Sequence, residues 1–233
     1  MANYNVIDYV TVASTGNASD FGDLTAARLH AGGMSNGIRG VFAGGSDTNI
    51  LDYVTIATTG NASDFGNLTA VHSAQGTLSN TIRGVMAGGW TSLGNQTQSN
   101  VIQYITVATT GNASDFGDLS STATDLEGCA SSTRGVFTGG KWGNDVLTIE
   151  YITINSTGNS TDFGDLSRDF FSSGVTSNSV TGIVGGGYSP GVSSTNIIEQ
   201  FNIASVGNST DFGDLTVARG VGLTAASNSD GGI

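Results

Sequence analysis

Acidic and amide side chains recur in pairs along this sequence, and that pairing is the first pattern able to do chemistry. An Asp begins each copy of the triplet Asp-Phe-Gly: Asp20, Asp64, Asp115, Asp162 and Asp211. An Asn stands three residues before each of them: Asn17, Asn61, Asn112, Asn159 and Asn208. Carboxylate and amide oxygens can ligate Ca²⁺, but the ligand spacing of an EF-hand is absent. Gly-Asn followed by small polar residues is turn chemistry, so we expect turns with no metal and no cofactor.

Acidic residues that do not recur at equivalent places along the sequence are the candidates for catalysis. They are few: Asp47, Asp125, Glu127, Asp145 and Asp169. A glycosidase needs an asymmetric pair of carboxylates facing a cleft. No His, Lys or second acid lies at a sequence spacing from any of these residues that would indicate a catalytic pair. We therefore interpret them as solvated loop acids and predict a protein that is not an enzyme.

Basic residues also recur at equivalent places. One set is Arg39, Arg83 and Arg134, and the other is Arg28, His72 and Arg219. Such residues either line an anion-binding channel or tie loops together through charge-assisted bonds to carboxylates and carbonyls. We favour the second interpretation.

Aromatic and amide residues cluster where the repeats differ most in length. These residues are the predicted ligand-binding set: Trp90, Asn95, Lys141, Trp142, Asn144 and Tyr188. Variable length is typical of surface loops, and an exposed ring beside an amide is what sugar recognition uses. Two interpretations stand: the rings contact a ligand, or they fold back over the edge of their own sheet.

Charge and composition exclude several classes of protein. The 233 residues carry 19 acidic and 7 basic side chains, and the net charge of −12 repels nucleic acid and anionic lipid. With 36 Gly, 1 Pro and 11% charged residues, the chain is neither collagen, coiled coil nor a charged disordered tail. Cys129 is the only cysteine, which excludes an intramolecular disulfide. We find no signal-peptide pattern and no apolar run of about 18 residues, so we expect no membrane span.

The elements that must position these side chains are set by an internal repeat. Asp-Phe-Gly occurs at 20–22, 64–66, 115–117, 162–164 and 211–213, at intervals of 44, 51, 47 and 49 residues. A unit of this size is typical of a propeller blade. In the first complete module, strands are predicted at about 29–34, 39–43, 50–58 and 64–68, and no helical periodicity occurs. Alternating residues of the third strand are apolar on both faces, so neighbouring sheets must cover each sheet on both sides.

The two ends of the sequence look complementary. Residues 1–24 match a third and fourth strand, and residues 217–233 match a first strand and the start of a second. We predict an all-β, five-bladed β-propeller with four-stranded blades and a closing blade shared between the N- and C-termini. It forms a single domain, 1–233, with blades at about 29–69, 70–120, 121–167, 168–216, and 217–233 plus 1–25.

The modules resemble compressed kelch repeats. Residues 39–45 read Arg-Gly-Val-Phe-Ala-Gly-Gly and precede Asp52-Tyr53; residues 83–89 and 134–140 repeat the phrase, and 181–187 replace its Arg with Thr. In kelch blades a second strand ends in Gly-Gly before a Tyr-bearing third strand. The outer-strand Trp of kelch is replaced here by Phe.

The phrase Ile-Ala-Thr-Thr-Gly-Asn-Ala-Ser-Asp-Phe-Gly at 56–66 resembles the kelch-like arrays of marine bacteriophage virion proteins. That resemblance implies a tail or fibre component, made in the host cytoplasm without a signal peptide and located in the virion. We expect a non-enzymatic attachment module that binds a host-surface glycan or another virion protein. The alternatives are a soluble multivalent lectin with one weak sugar site per blade and, third, a glycosidase. The pattern favours no particular oligomeric state.

Overall fold

The computed structural model of the chain is built from β-strands. It describes residues 3–92, 94–95, 97–140, 147–189, 191, 193–220 and 222–227, and these contain 19 strands in five sheets with no helix. Accordingly, no helix in this part of the chain has the length and apolar character to cross a membrane. The all-β prediction is confirmed.

Five antiparallel sheets follow one another along the chain. The N-terminal sheet has β1 (Tyr4–Tyr9) and β2 (Ser19–Arg28). Sheet 1 has β3 (Gly32–Ser35), β4 (Arg39–Ala43), β5 (Ile50–Thr55) and β6 (Ser63–Asn67). Sheet 2 has β7 (Gly76–Ser79), β8 (Arg83–Ala87), β9 (Trp90–Ser92), β10 (Thr97–Thr106) and β11 (Ser114–Ala123). Sheet 3 has β12 (Glu127–Ala130), β13 (Arg134–Thr138), β14 (Thr148–Thr153) and β15 (Thr161–Asp165). Sheet 4 has β16 (Gly174–Ser177), β17 (Thr181–Gly185), β18 (Thr195–Asn202) and β19 (Thr210–Arg219).

Sheets 1, 3 and 4 are four-stranded meanders, and sheet 2 adds β9 beside β10. The four strands expected of the first complete module are therefore present, with shorter ends. β3 begins at Gly32, because the preceding His30 has a positive φ of 58° that ends an extended strand. β5 ends at Thr55, where the backbone nitrogen of Thr58 donates to the Thr55 carbonyl oxygen and closes a turn.

The core lies between successive sheets. In β5, Leu51 and Asp52 point to opposite faces, and both are fully buried. Phe65 of sheet 1 shares a buried cluster with Ile105 and Val107 of sheet 2. The prediction that each sheet is covered on both faces is confirmed at these positions.

Glycine is required at two kinds of close backbone approach, one between neighbouring sheets and one within a sheet. Gly117 has φ +148°, and a Cβ there would clash with the carbonyl oxygen of Gly158 in sheet 3. Gly88 has φ +65°, and a Cβ there would lie 2.5 Å from the carbonyl oxygen of Ala123. The glycines of Asp-Phe-Gly and of Gly-Gly thus permit backbone approaches that a side chain would block.

The first strands of sheets 1 to 4 line a common space. A cavity of about 410 Å³ is lined by β3, β7, β12 and β16 together with residues 225–227. Hydroxyl groups connect neighbouring walls of this cavity: Ser79 Oγ donates to the Ser35 carbonyl oxygen at 2.8 Å, and Ser227 Oγ donates to that of Ser177 at 2.8 Å.

The C-terminal end differs from the predicted first strand. Residues 217–219 continue β19, the outer strand of sheet 4, because they stay paired with β18 as far as Thr195↔Arg219. Residues 222–227 then pass beside β16 without forming a strand. Residues 228–233 lie outside the described residues, and the predicted division into blades stays a prediction.

Candidate binding rim

The variable loops lie on one rim of the sheets, which we call the variable rim. Within the described residues it comprises the segments between the second and third strands and the connections between sheets. Those segments are 44–49, 88–92, 94–95, 97–99, 139–140, 147, 186–189, 191 and 193–194. The backbone nitrogen of Gly45 donates to the His72 carbonyl oxygen at 2.8 Å, and that of Gly89 donates to Ala123 at 2.7 Å. Each loop is therefore held by the connection that leads into the next sheet.

Trp90 is buried, with only 7% of its surface exposed. Its backbone forms two hydrogen bonds with Ser73, of 3.0 and 2.7 Å, which place it over the edge of its own sheet. The prediction that the Trp90 ring is exposed is wrong. The backbone pairing turns the residue toward the protein instead of into the loop.

Tyr188 occupies the corresponding place in sheet 4. Its backbone pairs with that of Phe171, and the two rings stack with centroids 4.7 Å apart at an interplanar angle of 45°. The half-buried Tyr188 ring therefore has one face covered by Phe171. For these two aromatics the structure shows the second interpretation, in which the ring folds back over the sheet edge.

Among the other predicted ligand-binding residues, Asn95 is exposed and its backbone nitrogen donates to Ser92 Oγ at 3.2 Å. Lys141, Trp142 and Asn144 lie outside the described residues. Ligand binding by all six stays a prediction.

A two-stranded ribbon extends the variable rim of sheet 2, and sequence reasoning missed it. β9 pairs with the start of β10 through Thr97↔Ser92 and Gln98↔Trp90. The signal was Gly94-Asn95, a turn dipeptide between two short polar segments. The ribbon leaves Asn95 and Thr97 exposed at its end.

Acidic groups lie at the inner part of the variable rim. Backbone bonds from Ala74 to His30 (3.0 Å) and from Asp125 to Ala74 (2.9 Å) link the starts of successive sheets. Burial raises the pKa of Asp125, partly offset by His30 and Thr124. Burial and the charge of Asp125 raise the pKa of Glu127 to about 7. The interpretation of these two residues as solvated loop acids is wrong, because the meeting of the inner strands desolvates them.

Four of the five recurring Asn residues bridge sheets through their side chains. Their Oδ1 atoms accept hydrogen bonds from backbone nitrogens of the preceding sheet, at 3.0 to 3.1 Å: Asn61 from Asp23, Asn112 from Asn67, Asn159 from Asp118 and Asn208 from Asp165. Each of these oxygens is thus engaged by a peptide group. Within the described ranges, no group of three or more His, Cys, Asp or Glu side chains is arranged to hold a metal ion.

The recurring arginines also join sheets. Their Nη1 atoms donate to carbonyl oxygens of the next sheet along the chain: Arg39 to Val107, Arg83 to Ile154 and Arg134 to Ile203. Each guanidinium also lies over a Tyr of its own sheet, at 4.3 to 4.6 Å from the ring centroid: Tyr53, Tyr104 and Tyr151. The interpretation of these arginines as ties to backbone carbonyls is confirmed.

Arg28 and His72 are buried structural groups as well. Arg28 forms an ion pair with Asp52 at 2.8 Å, and both side chains are fully buried. The Nδ1 atom of His72 lies 2.8 Å from the Gly88 carbonyl oxygen, and burial lowers the pKa of this imidazole. Neither group is available to an anion from solution.

Comparison with known proteins finds no protein-family model that matches this chain and no curated protein with significant similarity to it. The likeness to kelch repeats and to phage virion proteins therefore rests on the sequence phrases alone.

Proposed function

We propose that the five sheets form a closed five-bladed propeller that serves as a non-enzymatic attachment module of a phage particle. Support for the ring comes from the cavity that the inner strands share with residues 225–227. Support for a virion context comes from the resemblance of the repeat phrases to those of phage proteins.

The observation that carries a binding role is a variable rim on a repeated framework. The Asn and Arg ties recur from sheet to sheet between equivalent atoms, at 3.0 to 3.1 Å for the Asn ties and 2.9 to 3.4 Å for the Arg ties. The described parts of the loops that differ in length lie on one rim, and sheet 2 adds the β9–β10 ribbon there. Binding surfaces are commonly built this way, as variable loops held by a rigid scaffold. The partner we propose is a host-surface glycan or another virion protein.

A second candidate is a lectin with one weak sugar site per blade on the opposite rim. A cleft of about 350 Å³ in sheet 2 is lined by Tyr104, Thr109, Thr110 and Asn112 among others. These residues belong to the repeated turn between the third and fourth strands. A ring with hydroxyl and amide partners is suited to a sugar.

A glycan array probed with the intact protein tests both candidates. In one variant the sequence Ser46-Asp47-Thr48 replaces residues 90–99. Because Trp90 is buried, a second variant changes only the exposed Asn95 and Thr97 to Ala. Loss of binding in both, with Thr110→Ala unaffected, supports the variable rim. Loss only in Thr110→Ala supports the lectin site, provided that all variants keep the parent's melting temperature.

A further inference from the structure

Neighbouring sheets meet through one repeated backbone contact, which we call the seam contact. At the first seam the backbone nitrogen of Gly60 donates to the Phe21 carbonyl oxygen at 2.7 Å, and that of Ala62 donates to the Asp23 carbonyl oxygen at 2.8 Å. The same pair of bonds recurs at the next three seams, each time from two backbone nitrogens of one sheet to two carbonyl oxygens of the preceding sheet. The donors and acceptors are 111 to 65 and 113 to 67, then 158 to 116 and 160 to 118, then 207 to 163 and 209 to 165. A fifth seam would join residues 16 and 18 of the N-terminal sheet to residues 212 and 214 of sheet 4.

Both sides of that fifth seam are apolar and open. Phe212 is 54% exposed, whereas the equivalent Phe65 is 2% exposed. Val12 is 69% exposed, whereas the equivalent Val107 is fully buried against sheet 1. A Cβ on Gly213 would have no atom within 4 Å, although Gly22, Gly66, Gly117 and Gly164 all lie against the next sheet. Two matching apolar faces of one chain are therefore uncovered, as expected of surfaces that bind each other.

β19 is built like β2, the strand that makes the first seam. Both carry Asp-Leu-Thr followed by Arg three residues after the Thr, at 23–28 and 214–219. Their pairing registers agree, since Tyr4↔Arg28 and Val6↔Asp23 correspond to Thr195↔Arg219 and Ile197↔Asp214. Thr216 and Arg219 are thus placed as Thr25 and Arg28 are.

At the first seam these two residues bind the carboxylate of Asp52. Thr25 Oγ1 donates to Asp52 Oδ1 at 2.7 Å, and Arg28 Nη2 donates to Asp52 Oδ2 at 2.8 Å. The other seams use a longer acceptor at the position of Asp52, namely Gln103, Glu150 or Glu199, and there the Arg is replaced by His72, Ala123 or Phe170.

An Asp at the acceptor position and an Arg at the position of Arg28 occur on the two sides of one further seam, the fifth. Asp8 is equivalent to Asp52 in the N-terminal sheet, since it pairs with Asp20 as Asp52 pairs with Asp64. Asp8 and Arg219 are both exposed, and neither side chain has a hydrogen-bond or ion-pair partner within the described part of the chain. Their charges are complementary, and each matches one member of the Arg28–Asp52 pair.

We propose that the open face of sheet 4 binds the N-terminal sheet of the same chain, with Asp8 accepting hydrogen bonds from Thr216 and Arg219. This inference rests on the closed ring proposed above and names the contact that closes it. The same chain is the occupant because residues 225–227 already line the cavity beside residues 33–35, next to the sheet that β1 and β2 contact.

Cysteine cross-linking tests whether the open face of sheet 4 binds the N-terminal sheet of the same chain or that of a second copy. We would oxidise the Ala18→Cys/Asp214→Cys variant in dilute solution and compare it with Ala62→Cys/Asp23→Cys, which spans the first seam. Cys129 is buried and takes no part. A disulfide within the monomer in both variants is the expected result. A dimer-only cross-link, or none, in the 18/214 variant overturns closure by the same chain.

A double-mutant cycle then tests the ion pair separately. Asp8→Ala and Arg219→Ala should each lower the melting temperature by several degrees, and the double variant should lose no more than the worse single variant, because the pair acts as a unit. Asp115→Ala and Arg168→Ala, which remove exposed charges, serve as matched controls and should change it little. If the losses of melting temperature at Asp8 and Arg219 add in the double variant while the cross-link still forms within the monomer, the ion pair is overturned but closure of the ring is not. Coupled losses beyond the controls support it.

Discussion

The amide oxygen of Asn112 accepts a hydrogen bond from the backbone nitrogen of Asn67 at 3.0 Å. Asn112 lies in the turn between β10 and β11, and Asn67 ends β6, so this bond joins sheets 2 and 1. The backbone nitrogens of Gly111 and Ala113, on either side of Asn112, donate to the carbonyls of Phe65 and Asn67. Three hydrogen bonds within three residues thus fix how these two sheets meet.

Removing the amide of Asn112 should weaken that seam. Asn112→Ala is expected to cost about 1 kcal/mol of unfolding free energy, the usual net value of one hydrogen bond. Asn112→Asp keeps an acceptor oxygen in the same place and should cost less. Chemical denaturation of both variants measures the difference. Asn95→Ala, at an exposed Asn on the variable rim, is the control, and an equal loss there would contradict a role for the seam bond.

Close approach and backbone conformation can be separated at two glycines. Gly117 and Gly60 have φ of +148° and +155°, but only at Gly117 would a Cβ meet the backbone of another sheet. Both Ala substitutions carry the strain of positive φ, and Gly117→Ala adds a steric clash of about 1–3 kcal/mol. Gly117→Ala should therefore have the lower denaturation midpoint of the two. Equal midpoints would show that conformation alone requires the glycine.

Much of the framework was predictable because the repeat is regular. Four-strand modules follow from alternating apolar residues separated by turn dipeptides, and a residue such as Leu51 beside Asp52 already requires cover on both faces. The strand ends were less predictable. At His30, whose positive φ ends the strand, the carbonyl oxygen accepts a hydrogen bond from the backbone nitrogen of Ala74, a contact that a local pattern does not contain. The end of β5 is set locally, by the turn from Thr58 to Thr55, and only its position within the longer apolar run was not predicted.

The residues of the variable rim show a second reason why the sequence alone did not predict the candidate site. Trp90 stands in a long loop, and loop length alone predicted an exposed ring. Its burial depends on a backbone pairing with Ser73, in the connection that precedes its own sheet. The roles of Asn112 and Arg83 were likewise only partly predictable, because their hydrogen-bond partners lie 45 and 71 residues away in the sequence.

The thiol of Cys129 should be unreactive in the folded protein. Burial raises its pKa to about 12, so the nucleophilic thiolate is scarce at neutral pH. We expect an aromatic disulfide reagent to modify Cys129 only after unfolding, at a rate that rises with denaturant. A Ser92→Cys variant, with its new thiol on the rim ribbon, should react at once under native conditions. Rapid reaction of the parent protein would show that the inner strand β12 opens readily.

The last prediction concerns pH and Glu127. The folded protein raises the pKa of this carboxyl from an ordinary 4.5 to about 7, first through burial and second through Asp125. Between these values the unfolded chain releases the proton while the folded chain keeps it. The contribution of Glu127 to stability is therefore greatest below pH 4.5 and is lost as the pH rises toward 7.

Glu127→Gln should remove that loss, since the amide stays neutral. We expect the variant's melting temperature to exceed the parent's by the most at about pH 8 and by the least at about pH 4. Asp125→Asn should reduce the parent's pH dependence in the same direction, because it removes the second cause of the shift, and Asn tolerates the positive φ of 53° at that position. Asp115→Asn, at an exposed acid of β11, is the control for loss of one negative charge. If Glu127→Gln and Asp115→Asn show the same pH profile, overall charge repulsion explains the effect and Glu127 is not the group that titrates.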